Sequence, residues 1–260
     1  MPPVALTIAG SDPGGGAGIQ GDLKVFHQLG VYGEAVITLV SVQNTCGVSR
    51  VEILSAELVA DQIAAVIEDI PPGAIKTGAL GSEEVVRAVA RAAETFRAPL
   101  VVDPVMLSKN GRPLLSEKAI EAMRTELLPR AALVTPNVPE AEALTRLRIR
   151  SLDDVRRAAC RIRETGVRAV LIKGGHLEGP ATDFLLEDAP WREFPALRLP
   201  ARNLHGTGCA FSAAITAGLA CGSALADAVA AAKGFIHEAI RTAAGLGHGS
   251  SPVNHHAEVR

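Results

Sequence analysis

Short β-branched runs alternate with amphipathic stretches along nearly the whole chain, and this alternation limits the fold more than any other feature. Val4–Ala9, Ala35–Val40, Ala74–Lys76, Pro99–Val102, Ala132–Thr135 and Arg168–Lys173 read as strands. Between them, Gly18–Leu29, Glu57–Ile70, Glu83–Thr95, a stretch from Ser116 towards Leu127, and one from Ser151 to near Gly166 carry apolar residues at helical spacing. Ile19, Leu23, Phe26 and Leu29 share one face of the first of these helices. Ser82, Ser116 and the Ser151/Asp154 pair stand where N-caps belong. Thr182–Glu187 and Trp191–Leu199 alternate more and carry turn residues, which predicts a hairpin or flap. Thr207–Leu219 and Ala224–Ala243 predict Ala-rich helices. The order predicts the α/β class, with a mainly parallel central sheet and helices on both faces. No Pro- or Ser-rich linker and no internal repeat divides the chain, so one domain is expected over residues 1–260.

In such sheets ligands bind beyond the carboxyl ends of the strands. Polar residues that follow strands are therefore the first candidates: Gly10-Ser11-Asp12, Ser41 with Gln43 and Asn44, Asp103, and Lys173-Gly174-Gly175. The formal charge of −2 and the eight aromatics (6 Phe, 1 Tyr, 1 Trp) argue against a nucleic-acid partner. An anionic ligand must be held by local features. The uncharged stretch Asn203–Ala226 is mostly Ala, Gly, Ser and Thr, which suits a buried helix rather than a membrane span. Cys46, Cys160, Cys209 and Cys221 form no C-x-x-C pair, and the N-terminus has no basic leader. Reduced thiols in a cytoplasm are expected.

Gly206-Thr207-Gly208-Cys209 opens a predicted helix. Its first N–H groups and the helix dipole would form an anion hole, with Cys209 in the first turn, where a thiolate is favoured. The plainer reading is a glycine-rich helix entry with a small buried cysteine. Gly10–Asp22 contains G-x-G-x-x-G at Gly16, Gly18 and Gly21. The long Pro-Gly-Gly-Gly turn and the carboxylate of Asp22 fit a dinucleotide fingerprint poorly. No P-loop sequence occurs. The flat amide of Gln43 suits the edge of a heteroaromatic ring, and Asp22 could accept from an exocyclic amine. A turn satisfied by its own amides is the alternative. Asn137-Val138-Pro139-Glu140 could hold Mg²⁺ through water, or could simply be an acidic first turn. Lys173 would bring a cation with two flexible glycines behind it. His237-Glu238 lacks the second histidine of a zinc motif, since position 241 is Arg. His248, His255 and His256 read as part of a solvated tail.

Taken together, AGSDPGGGAGIQGDLK from Ala9, QNTCGV from Gln43, VVDPVML from Val101, LLPRAALVTPNVPEAEAL from Leu127, KGGHL from Lys173 and HGTGC from His205 resemble one family. It is the hydroxymethylpyrimidine/phosphomethylpyrimidine kinases of thiamine biosynthesis, within the ribokinase-like superfamily. The motifs span nearly the whole chain in one order. The resemblance implies a ribokinase-like fold and two successive phosphorylations with ATP and Mg²⁺. The acceptors would be 4-amino-5-hydroxymethyl-2-methylpyrimidine and then its monophosphate. It also implies a homodimer. On this likeness Cys209 is the candidate base, and Gly206, Thr207 and Gly208 hold the developing phosphoryl charge. Gly10, Asp22 and Gln43 recognise the pyrimidine. Asn137, Asp103 and Lys173 lie on the nucleotide side, and Glu140 organises Mg²⁺. Ala79 stands where the family often has Met, which enlarges one wall of the substrate pocket. Ser108-Lys109-Asn110-Gly111 is expected to act as a lid. A pyridoxal kinase and a non-catalytic pyrimidine-binding protein are the competing readings.

Overall fold

The computed structural model describes residues 2–107, 113–176, 179–187, 191–199 and 204–258. The expected lid at 108–111 and Asn203 lie outside them. Nine strands form one sheet in the order β3-β2-β1-β4-β5-β6-β7-β8-β9. These are β1 (Val4–Ser11), β2 (Tyr32–Asn44), β3 (Gly47–Ile53), β4 (Ala74–Thr77), β5 (Leu100–Val102), β6 (Leu133–Val134), β7 (Ala169–Ile172), β8 (Asp183–Leu186) and β9 (Arg192–Phe194). From β2 to β7 all neighbours are parallel, while β3, β8 and β9 run antiparallel to the strands beside them.

Helices cover both faces, as the alternation predicts. On one face, α2 (Ala56–Asp69), α3 (Glu83–Ala92), α4 (Glu117–Ala122), α5 (Val138–Thr145) and α6 (Leu152–Arg163) pack on Leu6, Ile8, Val102, Val134 and Ile172. On the other, α1 (Gly18–Gln28), α7 (Thr207–Ala220) and α8 (Leu225–Arg241) pack on Ala5, Val101, Leu133 and Leu171. Successive strand residues thus feed opposite cores, the period-two geometry of a doubly covered strand. The contact between α7 and α8 is close because it is built from small residues: a Cβ on Gly218 would lie 3.0 Å from that of Ala228. Among the described residues no helix is long and apolar enough to cross a membrane.

Three features depart from the sequence reading. The second strand continues past Val40 to Asn44, turns, and returns as β3, an edge strand whose Ser49, Arg50 and Glu52 face solvent. With one face wet it lacks the apolar run that marks a central strand. The helix capped by Ser116 widens into a π-helical turn over Met123–Leu127. The C-terminal tail is solvated only in part: His248 and His256 are exposed, but the stretch around His255 folds back. β11 (Ser251–Pro252) pairs with β10 (Leu204–His205), and Ser251, Val253, His255 and Ala257 are buried.

The chain leaves β1 on one side through β2 and returns on its other side as β4. This reversal opens a crevice at the carboxyl ends of β1 and β4, where open α/β sheets bind ligands.

Candidate active site

A cavity of about 570 Å³ occupies this crevice. Gly10 lines it from the end of β1, Gln43 from β2 and Ala79 from the turn after β4. Asp103 follows β5, Asn137 and Glu140 begin α5, Lys173 follows β7, and Gly206 to Cys209 begin α7.

Two helix N-termini open into the cavity without a capping side chain, α1 behind Ala17 and α7 behind Gly206. Helices α2 to α6 each have a Ser or Asn cap. The α7 end therefore presents N–H groups and a positive dipole end to a ligand, while the first N–H of α1, that of Gly18, faces Cys209; α8, also without a capping side chain, does not line the cavity. Gly206 has φ +84°, and a Cβ there would lie 1.8 Å from the Gly16 carbonyl oxygen. Gly18 has φ +56°, and its Cβ would lie 2.2 Å from the Gly10 oxygen. Only glycine lets the two helix entries close on each other.

Asp12 holds the glycine loop in place. Its carboxylate accepts from the N–H groups of Gly14 (2.8 Å), Ala17 (2.9 Å) and Gly16 (3.2 Å) and pairs with His205 Nε2 at 2.9 Å. Burial pushes this carboxyl up, but the bonds from His205, the Gln43 side chain and Gly14 outweigh it and hold it at about 2. Gln43 is thereby fixed at the cavity wall.

On the opposite side, Lys173 Nζ lies 2.9 Å from Asp103 Oδ1 and 4.0 Å from Glu140 Oε2. Asp103 also accepts from Ser212 at 3.2 Å. Burial works against the charges of Asp103 and Lys173, but their attraction wins: it lowers the Asp103 pKa and raises that of Lys173. Burial pushes Glu140 up to about 7, helped by Asp103 and opposed by Lys173. The Asn137–Glu140 motif is a capping box, with Asn137 Oδ1 accepting from Glu140 N at 2.9 Å and Glu140 Oε2 from Asn137 N at 2.8 Å. Lys173 and the anion hole are adjacent, since a Cβ on Gly208 would lie 3.3 Å from Lys173 Nζ.

Three expectations need correction. Asp22 does not line the cavity. It is fully buried behind the wall, bonded to Lys76 Nζ at 2.9 Å and to the Thr7 hydroxyl at 2.6 Å. The first-turn position does not favour a Cys209 thiolate. Burial pushes the thiol up to about 11, against the help of Lys76 and the Gly18 N–H, because removal from water outweighs the dipole. Gly174 is not a loose hinge: its N–H donates to Asp183 Oδ1 at 3.0 Å, and a Cβ would lie 1.8 Å from the Thr182 oxygen. Among the described residues no cluster of three or more His, Cys, Asp or Glu could hold a metal ion.

Sequence reasoning left Asp12, His205, Lys76 and Ser212 without roles. Lys76 had a signal, as a charge inside the run Ala-Ile-Lys-Thr of a central strand. Ser212 had one too, one helical turn after Gly208.

A family model described as phosphomethylpyrimidine kinase matches residues 12–254. The chain is 48% identical to the hydroxymethylpyrimidine/phosphomethylpyrimidine kinase of Rhizobium meliloti, over 98% of this chain and 97% of that one. It is also 48% identical to the thiamine biosynthesis bifunctional protein ThiED of Geobacter sulfurreducens, over 96% of this chain, but spans only 51% of that larger protein. Among solved structures, an ADP complex of Bacillus subtilis pyridoxal kinase matches with a TM-score of 0.92 at 34% identity, covering 99% of this chain and 98% of that one.

Proposed function

The chain belongs to the phosphomethylpyrimidine kinase family, and from that premise we propose how its cavity carries out the reaction. The enzyme uses ATP to phosphorylate 4-amino-5-hydroxymethyl-2-methylpyrimidine and then its monophosphate, for thiamine biosynthesis. The chain from residue 1 to 260 acts as a single kinase domain. The observation that carries this reading is the meeting of the uncapped α7 N-terminus with Lys173 inside the cavity.

Phosphoryl transfer needs alignment and charge stabilisation more than covalent help from the protein. The N–H groups of Gly206, Thr207 and Gly208 are aimed at charge that develops on the transferred group, and Lys173 adds a point charge beside them. Asn137, Asp103 and Lys173 form the nucleotide side, in keeping with the ADP carried by the solved relative. The buried carboxyls of Asp103 and Glu140 share one lysine, and Glu140 is pushed up to about 7. A site short of positive charge and rich in oxygen donors fits Mg²⁺, which uses few protein ligands and keeps its waters. Glu140 would hold it through water, beside Asp103, and the bound ion supplies neutralisation of phosphate charge.

The ring lies against Gly10, Gln43 and Ala79. The Gln43 amide offers both a donor and an acceptor to the aminopyrimidine edge. Asp22 acts from behind the wall, where it fixes Lys76 under Gly78; a Cβ there would be 3.2 Å from Lys76 Nζ. Cys209 is the base for the first transfer. In its ionised form it accepts the hydroxymethyl O–H proton, late, as the new phosphorus–oxygen bond develops, and becomes a thiol. Lys76 and the Gly18 N–H favour that form.

A second reading, pyridoxal phosphorylation, is favoured by Ala79 in the lining and by the pyridoxal kinase relative. Comparing kcat/KM for the pyrimidine alcohol and pyridoxal under saturating ATP separates them. A higher value for the pyrimidine supports the first reading, and a higher value for pyridoxal replaces it. We also propose a homodimer in a reducing cytoplasm. Support comes from exposed Val40, Val42 and Ile53 on the β2–β3 hairpin and from the free thiols of Cys160, Cys209 and Cys221. Light scattering on the purified protein tests the dimer.

A further inference from the structure

The C-terminal segment adds a second tie between the β2–β3 hairpin and the anion hole, beside the Asp12 carboxylate that meets both Gln43 and His205. At one end, Ser251–Pro252 pairs in parallel with Leu204–His205, immediately before the anion hole, and Val253 N donates to the His205 oxygen at 3.3 Å. Asn254 is anchored to the end of α8, through its N–H to the Ala239 oxygen at 3.0 Å and its amide to Thr242 Oγ1 at 2.9 Å. His255 is buried against the glycine loop, where a Cβ on Gly21 would lie 3.3 Å from its Nε2.

At the other end the segment grips the tip of the β2–β3 hairpin. Thr45 Oγ1 accepts from the N–H groups of His248 at 3.1 Å and Gly249 at 3.2 Å. The Thr45 carbonyl accepts from Ser250 N at 2.7 Å. The fit is close enough to demand glycine. A Cβ on Gly247 would lie 2.4 Å from Thr45 Oγ1, and one on Gly249 would lie 2.2 Å from the Thr45 oxygen. Thr45 and Ser250 both line the cavity, and Gln43 stands two residues before Thr45.

We propose that Thr45 is a positioning residue for the acceptor. Its hydroxyl locks the hairpin that carries Gln43 to a C-terminal strap, and the strap fixes that hairpin relative to the anion hole. The inference deepens the kinase reading, since it rests on the acceptor ring lying at Gln43. Asp12 holds the Gln43 side chain, and the Thr45 tie holds the hairpin tip itself, because among the described residues β3 pairs with β2 alone and its outer edge faces solvent. Without the hydroxyl, the His248 and Gly249 amides lose their shared acceptor and the competent hairpin position is less populated. The apparent affinity for the ring falls by that fraction.

The test compares Thr45→Val, which removes the hydroxyl, with Thr45→Ser, which keeps it. The Val variant is expected to raise KM for the pyrimidine alcohol about three- to tenfold, the loss due to one or two modest hydrogen bonds. KM for ATP should stay within about twofold, and the Ser variant should match the unsubstituted enzyme. Hydrogen exchange of the 246–251 amides should speed up about tenfold in the Val variant alone. An unchanged acceptor KM in Thr45→Val overturns the proposal. So does a Ser variant as impaired as Val, or an equal rise in both KM values. If the unsubstituted enzyme turns over no aminopyrimidine, the kinase reading fails separately. The exchange comparison still decides the strap, and unchanged protection in Thr45→Val refutes it.

Discussion

An alanine at position 206 would place its Cβ 1.8 Å from the Gly16 carbonyl oxygen and 2.9 Å from the Gly16 carbonyl carbon. Both partners are backbone atoms, so no side-chain rotation relieves the overlap. Real Cβ atoms essentially never approach closer than 3.0 Å, so the start of α7 and the glycine loop must separate by more than 1 Å. The residue must also keep φ near +84°, which costs an L-residue about 1–2 kcal/mol. Gly222 provides the control. It has φ +83° at the far end of the same helix, with nothing within 4 Å of its Cβ position. Gly222→Ala should therefore show the backbone cost alone, a Tm lower by about 2–4 °C with kcat unchanged. Gly206→Ala adds displacement of the anion hole, and a misplacement of about 1 Å at the reacting centre costs on the order of 100-fold. The assay is kcat at saturating ATP and pyrimidine alcohol, with Tm measured on the same samples. A Gly206→Ala enzyme whose kcat lies within about threefold of Gly222→Ala would refute the reasoning, because the aligned amides would then not be the main source of rate.

Other expectations follow from the same geometry. With the Cys209 thiol pushed up to about 11, kcat for the alcohol should rise about tenfold per pH unit between roughly pH 7 and 9. The monophosphate, already an anion above its second pKa of about 6, should show no such rise; a flat profile for the alcohol would remove Cys209 as its base. Lys173→Met should lower kcat about 100- to 1,000-fold, the scale of losing one charged contact to the transferred group, and steady-state kinetics showing a change only in KM for the pyrimidine would place Lys173 elsewhere. Burial holds His255 at about 4, below the ordinary 6.5. The folded protein therefore resists a proton that the unfolded chain accepts. Stability is complete above about pH 6.5 and falls as pH drops towards 4, by about 3 kcal/mol in all. Tm measured against pH should lose much of that slope in His255→Gln. Asp12, held at about 2, works in the lower window: its contribution of about 2 kcal/mol is present above its unfolded value near 4 and disappears towards pH 2.

The central strands and flanking helices were legible because β1 and β4 to β7 are covered on both faces and read as apolar runs. The edge strand β3 was not, because its outward residues are polar. The C-terminal strap had a trace in sequence, since Ser251, Val253, His255 and Ala257 alternate with more exposed neighbours. That pattern is short and mixes Ser and His with apolar residues, so it reads as polar tail. The cavity lining was largely visible in the motifs that follow strands. Asp22 was placed on the wrong side of the wall, although the 19, 22, 26 spacing sets it on the buried face of α1 with Ile19 and Phe26. Its partner Lys76 lies 54 residues away, and only the tertiary fold joins them. The position of Cys209 was legible in HGTGC, but its ionisation was not. Desolvation depends on what packs around the first turn of α7, and local sequence does not carry that.

The central claim is that one cavity performs both transfers. The direct measurement incubates the enzyme with limiting pyrimidine alcohol and excess Mg-ATP, following ADP and pyrimidine species together by mass spectrometry. The account predicts two ADP released per pyrimidine consumed, with the monophosphate rising and then falling as the diphosphate forms. Release that stops at one ADP per pyrimidine, or pyrimidine bound with no ADP formed, would contradict it.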